Sequence, residues 1–147
     1  MISSVQPTTG KFIDKTFVYS ACVYYEDTDA GGIVYYANYL KFAERARSEL
    51  LRALEINQQK ILEQKHSGFV VRSCSIEYLA SARLDDILTI TCQIKELNRV
   101  SATLHQQIYC KEDLLAELDV KVIYLNIDTH RPTRIEQEIA DKFTTLI

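Results

Sequence analysis

No run of about 18 consecutive apolar residues occurs in the sequence, and Met1 to Lys11 has neither the basic start nor the apolar core of a secretory signal. Stable membrane insertion is therefore excluded, and a soluble cytoplasmic protein is expected. Charge of one sign is not in excess: 17 Lys and Arg face 20 Asp and Glu, a net charge of -3. Without an overall basic field to hold a phosphate backbone, nucleic acid is excluded as the principal partner. Cysteine is sparse and dispersed. Cys22, Cys74, Cys92 and Cys110 form no CxxC pair and have no His at ligand spacing, while His66, His105 and His130 are scattered. Four reduced cysteines packed in strands are expected, with no metal and no redox cofactor. Internal repeats and low-complexity tracts are absent too.

What is present is a globular composition: 147 residues, 47% hydrophobic and 25% charged. That matches one domain over residues 1–147, with residues 1–14 read as a flexible N-terminal extension. Phe17, Tyr19, Ala21, Val23 and Tyr25 alternate with Val18, Ser20, Cys22, Tyr24 and Glu26, the period of a strand. From Asn38 the period changes. Tyr39, Ala43, Ala46, Leu50 and Leu54 recur every three or four residues, with Phe42 widening the stripe, and predict a long amphipathic helix. Ile56 to Ser67 reads as a shorter helix or a loop. Four strands follow, over Phe69–Leu79, Leu88–Lys95, Ser101–Cys110 and Ala116–Tyr124, and Ile135, Ile139 and Phe143 predict a helix after Pro132. The fold class is α+β: an antiparallel sheet wrapped around the long helix, which must bury its stripe. Exposed edges of so small a sheet favour pairing with a second copy.

One segment concentrates unusual chemistry. Between strand and helix, Tyr24 to Tyr39 holds three acids, the adjacent Gly31 and Gly32, and five tyrosines. A carboxylate on a tight loop beside the N–H groups of a helix start has the components that acyl transfer needs: a group to attack or to deprotonate water, and donors for the oxyanion. The same residues also read as turn chemistry, with Asp27 and Asp29 as Asx-turn acids, Asn38 as a helix cap and the tyrosines as core and rim.

The stretch resembles the 4-hydroxybenzoyl-CoA thioesterase family of hotdog-fold proteins, and within it the Tol-Pal-associated acyl-CoA thioesterases. The likeness lies in Tyr25-Glu26-Asp27-Thr28-Asp29-Ala30-Gly31-Gly32, then Ile33-Val34-Tyr35 and Ala37-Asn38-Tyr39-Leu40, and it continues through Glu44-Arg45-Ala46-Arg47, Phe69-Val70-Val71-Arg72 and Ala82-Arg83-Leu84-Asp85-Asp86. It implies a hotdog domain, dimers commonly assembled into tetramers, and active sites between protomers. It makes Asp29 the catalytic carboxylate, as nucleophile or general base, and the backbone N–H of Tyr36 the donor that polarises the thioester carbonyl. Tyr25 resembles a tyrosine that helps position the acid. Arg99 and Ser101 lie on the hairpin that contacts the nucleotide in the hydroxybenzoyl-CoA enzymes; a solvated hairpin tip is the alternative. Arg83, Asp85 and Asp86 read as a turn with a salt bridge, and Arg45 and Arg47 as polar or interface surface of the helix.

The sequence departs from the Tol-Pal-associated pattern at Tyr36, where that subgroup carries His. The resemblance implies hydrolysis of an acyl-CoA to a carboxylic acid and free CoA, and acyl carrier protein is a second donor with the same phosphopantetheine arm. A hotdog dehydratase would need a His acting with an acid, and Asp27 to Asn38 contains none. A non-catalytic acyl-thioester-binding or scaffold module is the remaining alternative.

Overall fold

The apolar stripe beginning at Tyr39 organises the molecule. In the computed structural model, which describes residues 10–147, it becomes α1, Asn38–Ala53, with Tyr39, Phe42, Ala43, Ala46 and Leu50 buried on one face. The two alanines let the sheet approach closely. The helix stops where Glu55 takes a left-handed φ of 60° and the Ile56 N–H turns back to the Leu51 carbonyl at 2.9 Å.

Seven strands form one antiparallel sheet: β1 Lys11–Ile13, β2 Thr16–Cys22, β3 Ser67–Tyr78, β4 Ile87–Leu97, β5 Ser101–Cys110, β6 Asp113–Asn126 and β7 Arg131–Pro132. Their order is β1-β2-β4-β5-β6-β3, with the short β7 paired to the end of β6. Period-2 alternation aims Leu88, Ile90, Cys92 and Ile94 of β4, with Ala116, Leu118 and Val120 of β6, toward α1. Two buried clusters result. Phe42, Ala46, Ile90, Ile108 and Leu118 belong to one, and Phe17, Leu50, Tyr124, Ile139 and Phe143 to the other. α2, Gln58–Lys65, occupies the segment read as helix or loop and is capped by Asn57, whose side chain accepts the Lys60 N–H at 3.0 Å. α3, Gln137–Thr144, covers the far end of the core with Ile139 and Phe143.

Four expectations are corrected. Residues 11–13 are not a flexible extension, because they pair with Thr16–Val18; residues 1–9 of that extension lie outside the described residues. The first strand ends at Cys22, not Tyr25: the Asp27 carboxylate accepts the Tyr24 N–H at 2.8 Å and folds Tyr25–Asp27 into a 3₁₀ turn. Asn38 does not cap α1. It is the first helical residue, and its side-chain amide reaches back to the Asp27 carbonyl at 2.9 Å. All four cysteines are unpaired and lie in strands, but Cys74 is exposed.

Tyr39 ties helix to sheet by a second means. Its buried hydroxyl accepts the Ala82 N–H at 2.9 Å, and burial pushes the phenol above its ordinary pKa. Tyr39→Phe leaves that N–H without an acceptor in a closed core. It is expected to lower the stability to unfolding by about 1–3 kcal/mol, the desolvation penalty of an orphaned donor. Denaturant melts superimposable on wild type would contradict this.

Candidate active site

The loop between β2 and α1 is built by hydrogen bonds to its own backbone and to one distant clip. The Asp29 N–H donates to the Ile33 carbonyl at 2.9 Å, and the Gly32 N–H to the Asp29 carbonyl at 3.0 Å. Gly32 has a φ of 78°, which a side chain would strain. Gly31 has a different reason to be glycine: a Cβ there would stand 3.1 Å from the Asp29 carboxylate. The Val34 N–H donates to the Ala82 carbonyl at 2.9 Å, and Ile33 bridges to Arg83, fastening the loop to the β3–β4 connection. There Arg83 and Asp86 form the expected turn. The salt bridge does not form, because the Asp86 carboxylate accepts the Arg83 backbone N–H at 2.8 Å.

The two aspartates have separate surroundings. Asp27 is only 6% exposed. Its carboxylate holds the Tyr24 N–H, and its carbonyl accepts from Tyr35 N–H at 3.0 Å and from the Asn38 amide. Asp29 is exposed. Its Oδ1 accepts the Gly31 N–H at 2.8 Å, an Asx turn, and Oδ2 has no partner among the described residues. Turn acid and free carboxylate are thus the same residue: one oxygen fixes the orientation while the other stays available.

Six positions beyond Gly32, α1 begins at Asn38 without a side-chain cap, and the N–H groups of the two residues before it, Tyr36 and Ala37, have no protein acceptor among the described residues. Unpaired amides at a helix N-terminus favour developing negative charge. Tyr35 connects the two features. Its phenol is pushed above its ordinary pKa first by the adjacent Tyr36 phenol, then by burial and by the Asp29 carboxylate. The rings of Tyr35, Tyr36, Tyr78 and Tyr39 form a chain with successive centroid distances of 4.9, 5.9 and 5.6 Å. The tyrosines of the loop thus form an aromatic rim beside the carboxylate as well as part of the core.

Asp29 and the unpaired Tyr36 N–H belong to the same loop between β2 and α1, and the other predicted residues make no contact with Asp29 there. Tyr25 is 83% exposed, and no hydrogen bond joins its phenol to Asp29. Arg99 and Ser101 lie at the β4–β5 hairpin. The loop follows the opposite end of the sheet, where Cys22 pairs with Ile87, some eleven residues of β4 away. Ser101 is only 4% exposed, with Asn98 Nδ2 3.4 Å from its hydroxyl, so that hairpin presents Arg99 alone. Among the described residues no group of three or more His, Cys, Asp or Glu is arranged to hold a metal ion.

Sequence reading missed Arg47 and Gln106 as partners. Gln106 is fully buried; its amide donates to the Ala43 carbonyl at 2.9 Å and its Oε1 accepts from Arg47 Nη1 at 3.0 Å. A glutamine at an inward position of an alternating strand was the available signal. Beside Arg47 lies a largely apolar cavity of about 170 Å³, walled by Leu50, Phe69, Val71, Ile94 and Leu104.

The profile of the Thioesterase-like superfamily matches residues 23–143. The sequence is 37% identical over 131 residues to acyl-CoA thioesterase YbgC of Haemophilus influenzae, covering 89% of this chain and 96% of that protein. It is 42% identical over 122 residues to acyl-CoA thioester hydrolase YbgC of Escherichia coli O157:H7, covering 82% and 90%. In three dimensions it is similar to a probable thioesterase from Bartonella henselae, with a TM-score of 0.79 at 33% identity over 82% of this chain and 99% of the other.

Proposed function

This chain belongs to the Thioesterase-like superfamily, and on that premise we propose that the Asp29 loop and the start of α1 form one half of its active site. The protein is a hotdog-fold acyl-CoA thioesterase, hydrolysing the thioester to a carboxylic acid and free CoA. One observation supports the site assignment: Asp29 has one oxygen fixed by Gly31 and the other free, on the loop that ends in two unpaired amides.

The chemistry follows from that pairing. The Tyr36 N–H donates to the thioester carbonyl oxygen and strengthens its hold as negative charge collects there. The free oxygen of Asp29 either takes a proton from water as the water attacks the carbonyl carbon, or attacks that carbon itself to give an anhydride that water then cleaves. Both routes expel the CoA thiolate, which leaves with a proton. Tyr25 is held exposed beside the loop, where it can meet substrate or a neighbouring protomer. Arg99 is proposed to meet a CoA phosphate, and burial argues against the same role for Ser101.

The site is proposed to be completed by a second copy. β3 is a twelve-residue edge strand with exposed Val70, Val71 and Tyr78, a template for antiparallel pairing with the same strand of a partner. A tetramer of two such dimers is the assembly that the family resemblance implies. No helix among the described residues is long and apolar enough to cross a membrane, and a cytoplasmic location is part of the proposal. So is acyl carrier protein as a second donor, which the shared phosphopantetheine arm supports.

The test is thiol release across a panel of acyl-CoA chain lengths. Multiple turnovers are expected. Tight acyl-CoA binding without thiol release would support the binding-module alternative instead. Within that assay, Tyr36→Phe is expected to retain kcat within about tenfold, because the backbone N–H survives. A loss beyond about 100-fold in a folded variant, the low end for one oxyanion donor, would assign the role to the hydroxyl.

A further inference from the structure

The apolar cavity beside Arg47 and the reactive loop of one protomer are far apart, and that separation has a geometric solution. Along β3, the C-terminal end lies by the start of α1, since the Tyr78 ring packs on Tyr36 and Tyr39. The N-terminal end, Phe69 and Val71, lies by the other half of α1 and walls the cavity with Arg47 and Leu50. About 20 Å of helix separates Tyr36 from Leu50, at 1.5 Å per residue. A two-fold axis pairing β3 with β3 antiparallel reverses this order across the interface. The partner's Tyr78, and with it the partner's Tyr36 amide and the partner's Asp29, then comes beside the Phe69 and Val71 end of the first protomer. The cavity of one chain faces the reactive loop of the other.

That cavity has an unusual wall. Arg47 reaches into the space between helix and sheet, where Gln106 accepts one of its N–H groups. Among the described residues the rest of the guanidinium has no acceptor, and no carboxylate lies within 4.0 Å of it. Burial lowers its pKa, while Cys92, Glu44 and Cys74 nearby act the other way. Glu44, one turn away, is engaged by the Ser48 hydroxyl at 2.8 Å. A guanidinium carries five N–H donors in a rigid fork, so several remain for a ligand oxygen. Cavities near 150 Å³ admit a benzene-sized group, which puts a short acyl chain or a ring within range of 170 Å³.

With the active site between protomers, as the resemblance implies, we propose that Arg47, in the wall of this cavity, selects acyl groups carrying an oxygen acceptor, hydroxyl or carboxylate, distal to the thioester. The inference rests on the hydrolase reading above and adds the class of acyl group. Arg47 is a specificity residue here, oriented by Gln106.

The experiment measures kcat/KM by thiol release on matched four- and six-carbon acyl-CoAs bearing a terminal methyl, hydroxyl or carboxylate, for wild type, Arg47→Met and Arg47→Lys. Wild type is expected to prefer an oxygen-bearing substrate by about tenfold or more, the scale of one charge-assisted hydrogen bond. The preferred arm, hydroxyl or carboxylate, identifies the acceptor. Arg47→Met is expected to erase that preference, lowering kcat/KM on the oxygen-bearing substrate by at least about tenfold more than on the methyl-terminated one, and Arg47→Lys to restore part of it. A wild type that cleaves all three alike overturns the inference and leaves the hydrolase reading standing. Uniform loss in Arg47→Met on every substrate, or dissociation of that variant in light scattering, makes Arg47 a structural or interface residue and overturns it too. A wild type that cleaves none of them but releases thiol from longer acyl-CoAs overturns the inference alone, and one that releases thiol from no acyl-CoA of any length overturns the hydrolase reading itself.

Discussion

Ser73→Lys combined with Ser75→Lys is expected to convert the protein into a 16.9 kDa monomer and to remove most of its turnover. Both serines are exposed on β3, and they pair with Lys121 and Asp119 of β6 on the outer face of the sheet. Neither contributes to the core, so the fold should survive the change. In a two-fold pairing of β3 edges the new lysines of one copy meet those of the other near the centre of the contact, and like charges opposite one another in a sheet repel. If Asp29 works on a substrate whose acyl group lies in the partner's cavity, the separated monomer holds two incomplete half-sites. A loss of at least tenfold in kcat/KM is the expected scale, equal to about 1.4 kcal/mol of transition-state stabilisation. Light scattering, circular dichroism and thiol release on the same sample check it. A folded monomer with wild-type turnover would show that each chain carries a complete site.

Asp29→Asn has the larger chemical effect. The amide oxygen can still accept the Gly31 N–H that shapes the turn, so loop, oligomer and most acyl-CoA binding should remain. What is lost is the free carboxylate oxygen, and an amide is neither a useful base nor a nucleophile near neutral pH. A positioned general base typically contributes about 10²–10⁴-fold, and kcat is expected to fall on that scale. KM should move little, because the missing interaction acts on the reacting atoms rather than on binding.

Much of this architecture was legible because it rests on local periodicity. The stripe through Tyr39, Ala43, Ala46 and Leu50 marks α1 to within a residue at its start, and the alternation of Leu88, Ile90, Cys92 and Ile94 marks β4. The paired glycines likewise marked a tight loop, and Gly32 does take a positive φ. The missed features depend on partners far away in the chain. Lys11–Ile13 looked like a polar tail, but it is a strand because β2 offers it an edge. Ser101 looked like a hairpin-tip hydroxyl and is covered by the fold around it. The bond between Arg47 and Gln106 spans 59 residues, and no spacing rule joins them. Asn38 had the right chemistry for a cap, yet it is the first helical residue and spends its amide on the Asp27 carbonyl.

Asp27 and Asp29 differ by two positions and by nearly everything in their surroundings, and this provides an internal control for the proposed chemistry. Asp27 is buried and spends its carboxylate on the Tyr24 N–H, whereas Asp29 is exposed with an oxygen to spare. The decisive measurement is kcat for thiol release at saturating acyl-CoA by Asp27→Asn and Asp29→Asn side by side, with thermal unfolding recorded for both. Asp29→Asn is expected to be by far the more damaged in turnover while melting close to wild type, and any Asp27→Asn defect to follow lost stability. Wild-type turnover in Asp29→Asn, or a greater loss in a well-folded Asp27→Asn, would contradict it.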